Sequence, residues 1–341
     1  LPDNYTGIID LPIFHNISRY HIFLDKIHSC GYSGINIGLT PIWTNSIPLP
    51  IAKSLQHVIG SFHGTSIKRS FKTGVTYNDI IHLDKKTVDT LDPGRKIGVN
   101  YDLYLGHDKD IVWSDDFKKT QAHNIQKLSQ KLGIKNPYNS EYLLYKYIIK
   151  KIAEVYHDDR TIYFEMPGTK GWSMISEISS SNLETVCSLI HNYLPKKGKI
   201  CIDIGHMLTR SRTKNEIDSM IQTIEKYSSH IAMIHISSAG SYDPNFQLAY
   251  RHYTNNKYPD RHIKGLDFQG IIYEDLMVSL IEKIRTIMPG PIIEVCESRL
   301  LSASIQDYFE TNILGEDIDR RFLEHIDLQA QILGYRSSRD I

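Results

Sequence analysis

Short apolar runs alternate with longer amphipathic stretches through most of the 341 residues. The runs at 34–39, 58–63, 98–105, 161–165, 199–203, 231–236 and 291–295, with an eighth at 6–11, are brief and rich in β-branched or aromatic residues. They are nearly continuous in their apolarity rather than alternating, as strands covered on both faces are. Between them, 115–132, 142–155, 182–193, 214–227 and 273–287 carry apolar positions at helical spacing, and Gly133 supplies a stop after the first. Strand then helix, repeated, predicts a parallel sheet with helices outside it. Eight such strands predict a closed α/β TIM barrel, (β/α)8, forming a single domain over 1–341. Such a barrel takes about 250 residues, which leaves chain for insertions. Two stretches break the pattern: 64–96 is polar and poorly periodic, and 240–259 is rich in Tyr, Asn and Pro. Both follow strand ends, so both read as long loops or inserted subdomains on the face where barrel enzymes keep their sites.

Composition narrows the function. Lys+Arg and Asp+Glu are both 39, giving a formal net charge of zero. Bulk charge therefore does not drive nucleic-acid binding, although a local basic face remains compatible with it. The cysteines Cys30, Cys187, Cys201 and Cys296 form no CxxC pair and are too sparse for a disulfide scaffold. They read as reduced core residues of a cytoplasmic or nuclear protein. No secretory signal stands out, and no apolar run approaches the roughly 18 residues of a membrane helix.

The residues that carry chemistry sit where strands finish. Phe62-His63-Gly64-Thr65 ends one run, Tyr163-Phe164-Glu165-Met166 another, and Cys201-Ile202-Asp203-Ile204-Gly205-His206 a third. Met233-Ile234-His235 and Ile292-Ile293-Glu294 end two more, and Asp260-Arg261-His262 lies in the loop beyond the first of these. A carboxylate or imidazole buried alone at a strand end is costly. In a parallel barrel these ends converge, so the groups can relieve one another by sharing cations. Mixed N/O ligands suit Zn2+, with Mn2+ or Fe2+ as alternatives. Metals held there would lower the pKa of a bound water and clamp phosphate oxygens.

This ordered series, D-x-x-H, then H, then D-R-H, then a strand-end Glu, resembles the endonuclease IV family of apurinic/apyrimidinic (AP) endonucleases, within the xylose-isomerase-like barrel superfamily. The resemblance spans about 63–294 and is clearest from 165 onward. It implies three zinc ions: the first on His63, His107 and Glu165, the second sharing Glu165 and completed by Asp203, His235 and Glu294, the third on His206, Asp260 and His262. It implies hydrolysis of the phosphodiester 5′ to an abasic site in double-stranded DNA by a metal-bridging hydroxide, with Glu294 orienting the nucleophile. The lesion would be flipped from the duplex into the metal pocket.

The chain departs from the family at definite places. The family's second His stands in an H-P-G-like strand end. Here 133–137 reads Gly-Ile-Lys-Asn-Pro, so His107 takes that part by spacing and Asn136 is the alternative. No Tyr follows His63, which leaves Trp43 as the wedge into DNA. Arg261, flanked by two ligands, and Arg210 are the candidates for backbone phosphate. Glu297 trails Glu294, but the end of the apolar run favours Glu294 as the ligand. The expected partner is abasic duplex DNA, with no membrane and a monomeric chain. Two other enzyme classes share the barrel. One is a single-metal sugar isomerase or epimerase on Glu165, Asp203, His235 and Glu294; the other is an iron-dependent peptide-modifying oxygenase. A non-enzymatic barrel that has lost activity is the remaining alternative.

Overall fold

Eight parallel strands pair in chain order, and the first closes on the last. They are β1 (Tyr5–Asp10), β2 (Gly34–Gly38), β3 (Ile59–His63), β4 (Val99–Asp102), β5 (Ile162–Glu165), β6 (Gly198–Asp203), β7 (Ile231–Ile236) and β8 (Ile292–Cys296). Helices between them include α1 (Leu49–Ser54), α2 (Tyr77–Leu91), α3 (Ser140–Val155), α4 (Ser180–Tyr193), α5 (Lys214–Lys226) and α6 (Tyr273–Ile287). This computed structural model describes residues 5–10, 24–39, 49–65, 75–103, 140–166, 180–204, 214–236, 273–296, 326–327, 329–331 and 333–335. The fold is the (β/α)8 barrel that the alternating pattern predicts. Among the described residues no helix is long and apolar enough to cross a membrane.

Two layers of core follow from the strand period of two. Ile8, Tyr163, Cys201, Met233 and Val295 form one cluster, with Ile293 and Ala232 against it. The five cluster residues and Ile293 are inward positions that fill the barrel. The intervening residues, among them Phe62, Tyr101, Phe164, Ile202 and Ile234, belong to a larger cluster shared with the helices. The inward phase continues upward, since Glu165, Asp203 and His235 each lie two residues beyond an interior residue of the same strand. Sequence and packing therefore put three ligand-type side chains on one rim.

Helix α2 lies within 64–96, where the sequence pattern suggests a loop or inserted subdomain. It is one of the barrel's own helices, between β3 and β4. The Thr76 side chain caps it by accepting from the Asp79 amide, and it stops before Pro93-Gly94. Its buried stripe is Tyr77, Ile80, Ile81, Asp84, Val88 and Leu91. Each of these aliphatic side chains stabilises the layer by about 1.5–3 kcal/mol. The acid in the middle of the stripe hides its period. The stretch at 240–259 and the helix expected at 115–132 lie outside the described residues.

Candidate metal centre

His63 ends β3, Glu165 ends β5 and His235 stands next to the end of β7. One ligand atom from each lies within 4.8 Å of the others. Glu165 is central: its Oε2 is 3.5 Å from His63 Nε2 and 3.1 Å from His235 Nδ1. The two imidazole centroids are 5.8 Å apart. Glu165 and His235 are buried, and His63 is partly open. Donor atoms bound to one ion at about 2.1 Å stand about 3.0 to 3.4 Å apart, according to geometry. The spacings here are close to such edges, and a donor set of two imidazoles and a carboxylate suits a divalent transition ion. These residues fit a metal.

The surroundings hold the donors in place. Asn100 Nδ2 donates to Glu165 Oε2 at 2.7 Å and stands 3.4 Å from His235 Nε2. His63 Nδ1 donates to the Gly64 carbonyl at 3.1 Å, which leaves Nε2 facing the centre. Gly64 is required there, because a Cβ would lie 2.1 Å from the Tyr101 ring. Asp203 is fully buried and pairs in register with His235. Burial pulls the His63 pKa down, but the carboxylates of Asp102 and Glu165 more than offset this and hold it well above the ordinary 6.5.

Of the residues that the sequence pattern nominates, His63, Glu165, Asp203 and His235 share this rim. Glu294 does not, and here the expectation needs correction. Arg285, in the last turn of α6, donates from Nε to Glu294 Oε1 at 2.7 Å and from Nη2 to Oε2 at 2.6 Å. Tyr335 adds its hydroxyl to Oε2 at 2.9 Å. Ile293 and Val295 are the inward residues of β8, so Glu294 points out, under the helix layer. A one-residue difference of phase reverses the face. His107, Asn136, His206, Asp260, Arg261, His262, Trp43 and Arg210 lie outside the described residues.

Two rim residues escape the sequence reading, Asn100 and Asp102. The apolar pattern runs on through Leu103 and Leu105, which carries the expected strand past its true end. Pairing ends β4 at Asp102, opposite Glu165. The polar alternation Asn100, Asp102 within Val99-Asn-Tyr-Asp102 is the available signal.

No protein-family model matches the chain, and no curated protein matches it. Among solved structures, AsfvAP, solved as AsfvAP:AG, aligns with TM-score 0.50 and 14% identity over 91% of this chain and 98% of that one. The apo form of the 3-keto-D-glucoside 4-epimerase YcjR from E. coli gives TM-score 0.48 and 12% identity over 94% and 98%. An AP endonuclease, family 2, from Brucella melitensis gives 0.43 and 14% over 90% and 98%. At such identity the likeness to AsfvAP is one of fold, and it shows this chain to be a closed parallel barrel of that build.

Proposed function

We propose that the chain is a metal-dependent hydrolase of the endonuclease IV type, a monomer that cuts double-stranded DNA on the 5′ side of abasic sites. The observation that carries this reading is Glu165 Oε2 between His63 Nε2 at 3.5 Å and His235 Nδ1 at 3.1 Å. A carboxylate that faces imidazoles from strands on either side of it would hold a divalent ion together with them. Bound divalent ions, Zn2+ by the family resemblance, would lower the pKa of a water and neutralise charge on the phosphate.

The chain's own residues prepare for this. Asn100 fixes the Glu165 carboxylate, and the Gly64 carbonyl turns the His63 ring. Tyr163, Met233 and their neighbours fill the barrel beneath and keep water out from below. Asp203 joins His235 at the second position. By the family resemblance, His206, Asp260 and His262 are assigned to a third ion, and Arg261 and Arg210 are the candidates for phosphate and Trp43 for the DNA wedge. In the sequence Glu297 stands two positions after Val295 and lies outside the described residues. We assign it the nucleophile-orienting part first given to Glu294.

The single-metal isomerase reading asks Glu165, Asp203, His235 and Glu294 to surround one ion. The Arg285–Glu294 pairing takes Glu294 out of both readings. The isomerase reading leaves His206 and Asp260-x-His262 without a use. Metal content, measured with incision of a duplex carrying one abasic analogue, tests the choice. Two to three ions per chain and a cut 5′ to the lesion are expected. One ion, intact DNA and turnover of a sugar would establish the isomerase instead.

A further inference from the structure

We propose that Asp102 is itself a metal ligand of this centre, taking the place expected of a second histidine, and that it shifts the centre's preference toward oxygen-seeking ions such as Mn2+ or Fe2+. The proposal rests on the metalloenzyme reading above and deepens it by naming the ion class. Asp102 ends β4 directly opposite Glu165 in register, so its carboxylate belongs to the same rim. It is buried, and its Oδ1 lies 3.3 Å from His63 Nε2. That oxygen accepts no hydrogen bond among the described residues. A buried carboxylate oxygen so placed needs a cation, and once an ion takes up His63 Nε2 that cation is the ion itself.

Asp102 could instead be an outer partner that merely orients His63. Such a partner engages the ring nitrogen pointing away from the metal. On His63 that nitrogen, Nδ1, is already taken by the Gly64 carbonyl at 3.1 Å. Asp102 approaches Nε2, the same atom that faces Glu165 at 3.5 Å. Two carboxylates converging on the ligand-side nitrogen, at distances close to coordination edges, place Asp102 in the coordination shell. His107 is then not needed at the first position. Asp102, Glu165, His63 and His235 together offer two carboxylates and two imidazoles, where a second His in place of Asp102 would give three imidazoles to one carboxylate. Harder ions gain from the exchange, and Zn2+ gains least.

The full chain as wild type, Asp102→Asn and Asp102→His is equilibrated in buffered Mn2+ or Zn2+, and bound metal is counted by elemental analysis. Circular-dichroism melts check folding, and the isosteric Asn variant carries the test if the His variant does not fold. Asp102→Asn is expected to lose one equivalent of Mn2+ or to bind it at least tenfold more weakly. Asp102→His is expected to raise the ratio of Zn2+ to Mn2+ affinity at least tenfold. Unchanged Mn2+ count and affinity in Asp102→Asn overturn the ligand assignment while leaving the metalloenzyme reading in place. An unchanged ratio in a folded Asp102→His overturns the preference. A wild-type chain that holds no metal overturns both.

Discussion

Asp84 is a carboxyl group that folding should keep protonated, and replacing it with Asn tests this. It is fully buried on α2, and it holds the chain just beyond His63. Thr65 donates its amide to Asp84 Oδ2 at 2.8 Å, and Thr65 Oγ1 lies 2.8 Å from Asp84 Oδ1. The same hydroxyl also bonds to the Leu39 carbonyl. One hydroxyl proton cannot serve both oxygens, so a second proton on Asp84 satisfies the set. Burial raises the Asp84 pKa from 3.8 to about 7, against Thr65, Tyr101 and His63, which all favour the charged form.

The sign follows from proton linkage. Between the unfolded and folded pKa values the native state binds more protons, so stability is fully present below about 4. It falls as pH rises through about 7. At 1.36 kcal/mol per unit, the loss between pH 5 and pH 8 is roughly 2 to 3 kcal/mol. The amide of Asp84→Asn mimics the protonated acid: its oxygen accepts from the Thr65 amide and its NH2 donates to Thr65 Oγ1. Urea melts of chelator-treated wild type and variant at pH 5, 6, 7 and 8 isolate the effect, because other titrating groups cancel in the difference. The variant should gain roughly 2 to 3 kcal/mol on the wild type over that range. Parallel pH profiles, or a variant that loses ground at pH 8, would refute the protonated-acid account.

Three further perturbations probe the neighbouring geometry. Glu294→Gln, by leaving the partly buried Arg285 guanidinium without its charge partner, should cost about 2–3 kcal/mol in a denaturant melt and leave metal content unchanged; loss of metal would return Glu294 to the centre. Gly64→Ala forces a methyl group to within 2.1 Å of the Tyr101 ring, whose hydroxyl is tied to Tyr156, and should cost about 1–3 kcal/mol; wild-type stability would contradict the packing. Because Asp102 and Glu165 hold His63 protonated well above its usual range despite burial, an incoming ion must displace that proton. Metal affinity should therefore fall up to about tenfold per pH unit on acidification from pH 8 to pH 6, and a titration showing pH-independent uptake would exclude proton competition at this ring.

The barrel was legible because parallel strands covered on both faces announce themselves as short apolar runs, and all eight expected runs overlap their strands, seven of them to within one residue at both ends. That same continuity conceals phase. Pro291-Ile-Ile-Glu-Val-Cys-Glu297 does not show by hydropathy whether Glu294 or Glu297 shares a face with the interior, since the apolar residues around them suit either side. Asp102 was hidden in a related way, because Leu103 and Leu105 prolong the apolar run beyond the point where pairing stops. In α2 the concealment works in reverse, with a buried acid breaking an otherwise regular stripe. What settles each case is a partner on another element: Thr65 for Asp84, His63 for Asp102, Arg285 for Glu294. The last of these leaves a usable trace. Arg285 stands in the final turn of the helix that feeds β8, nine residues before Glu294, and that turn lies against the strand's outer face. An acid flanked by apolar residues in a strand, preceded at such a distance by a helix-terminal arginine, is better read as facing the helices than the barrel mouth, because a buried carboxylate goes where its countercharge already is.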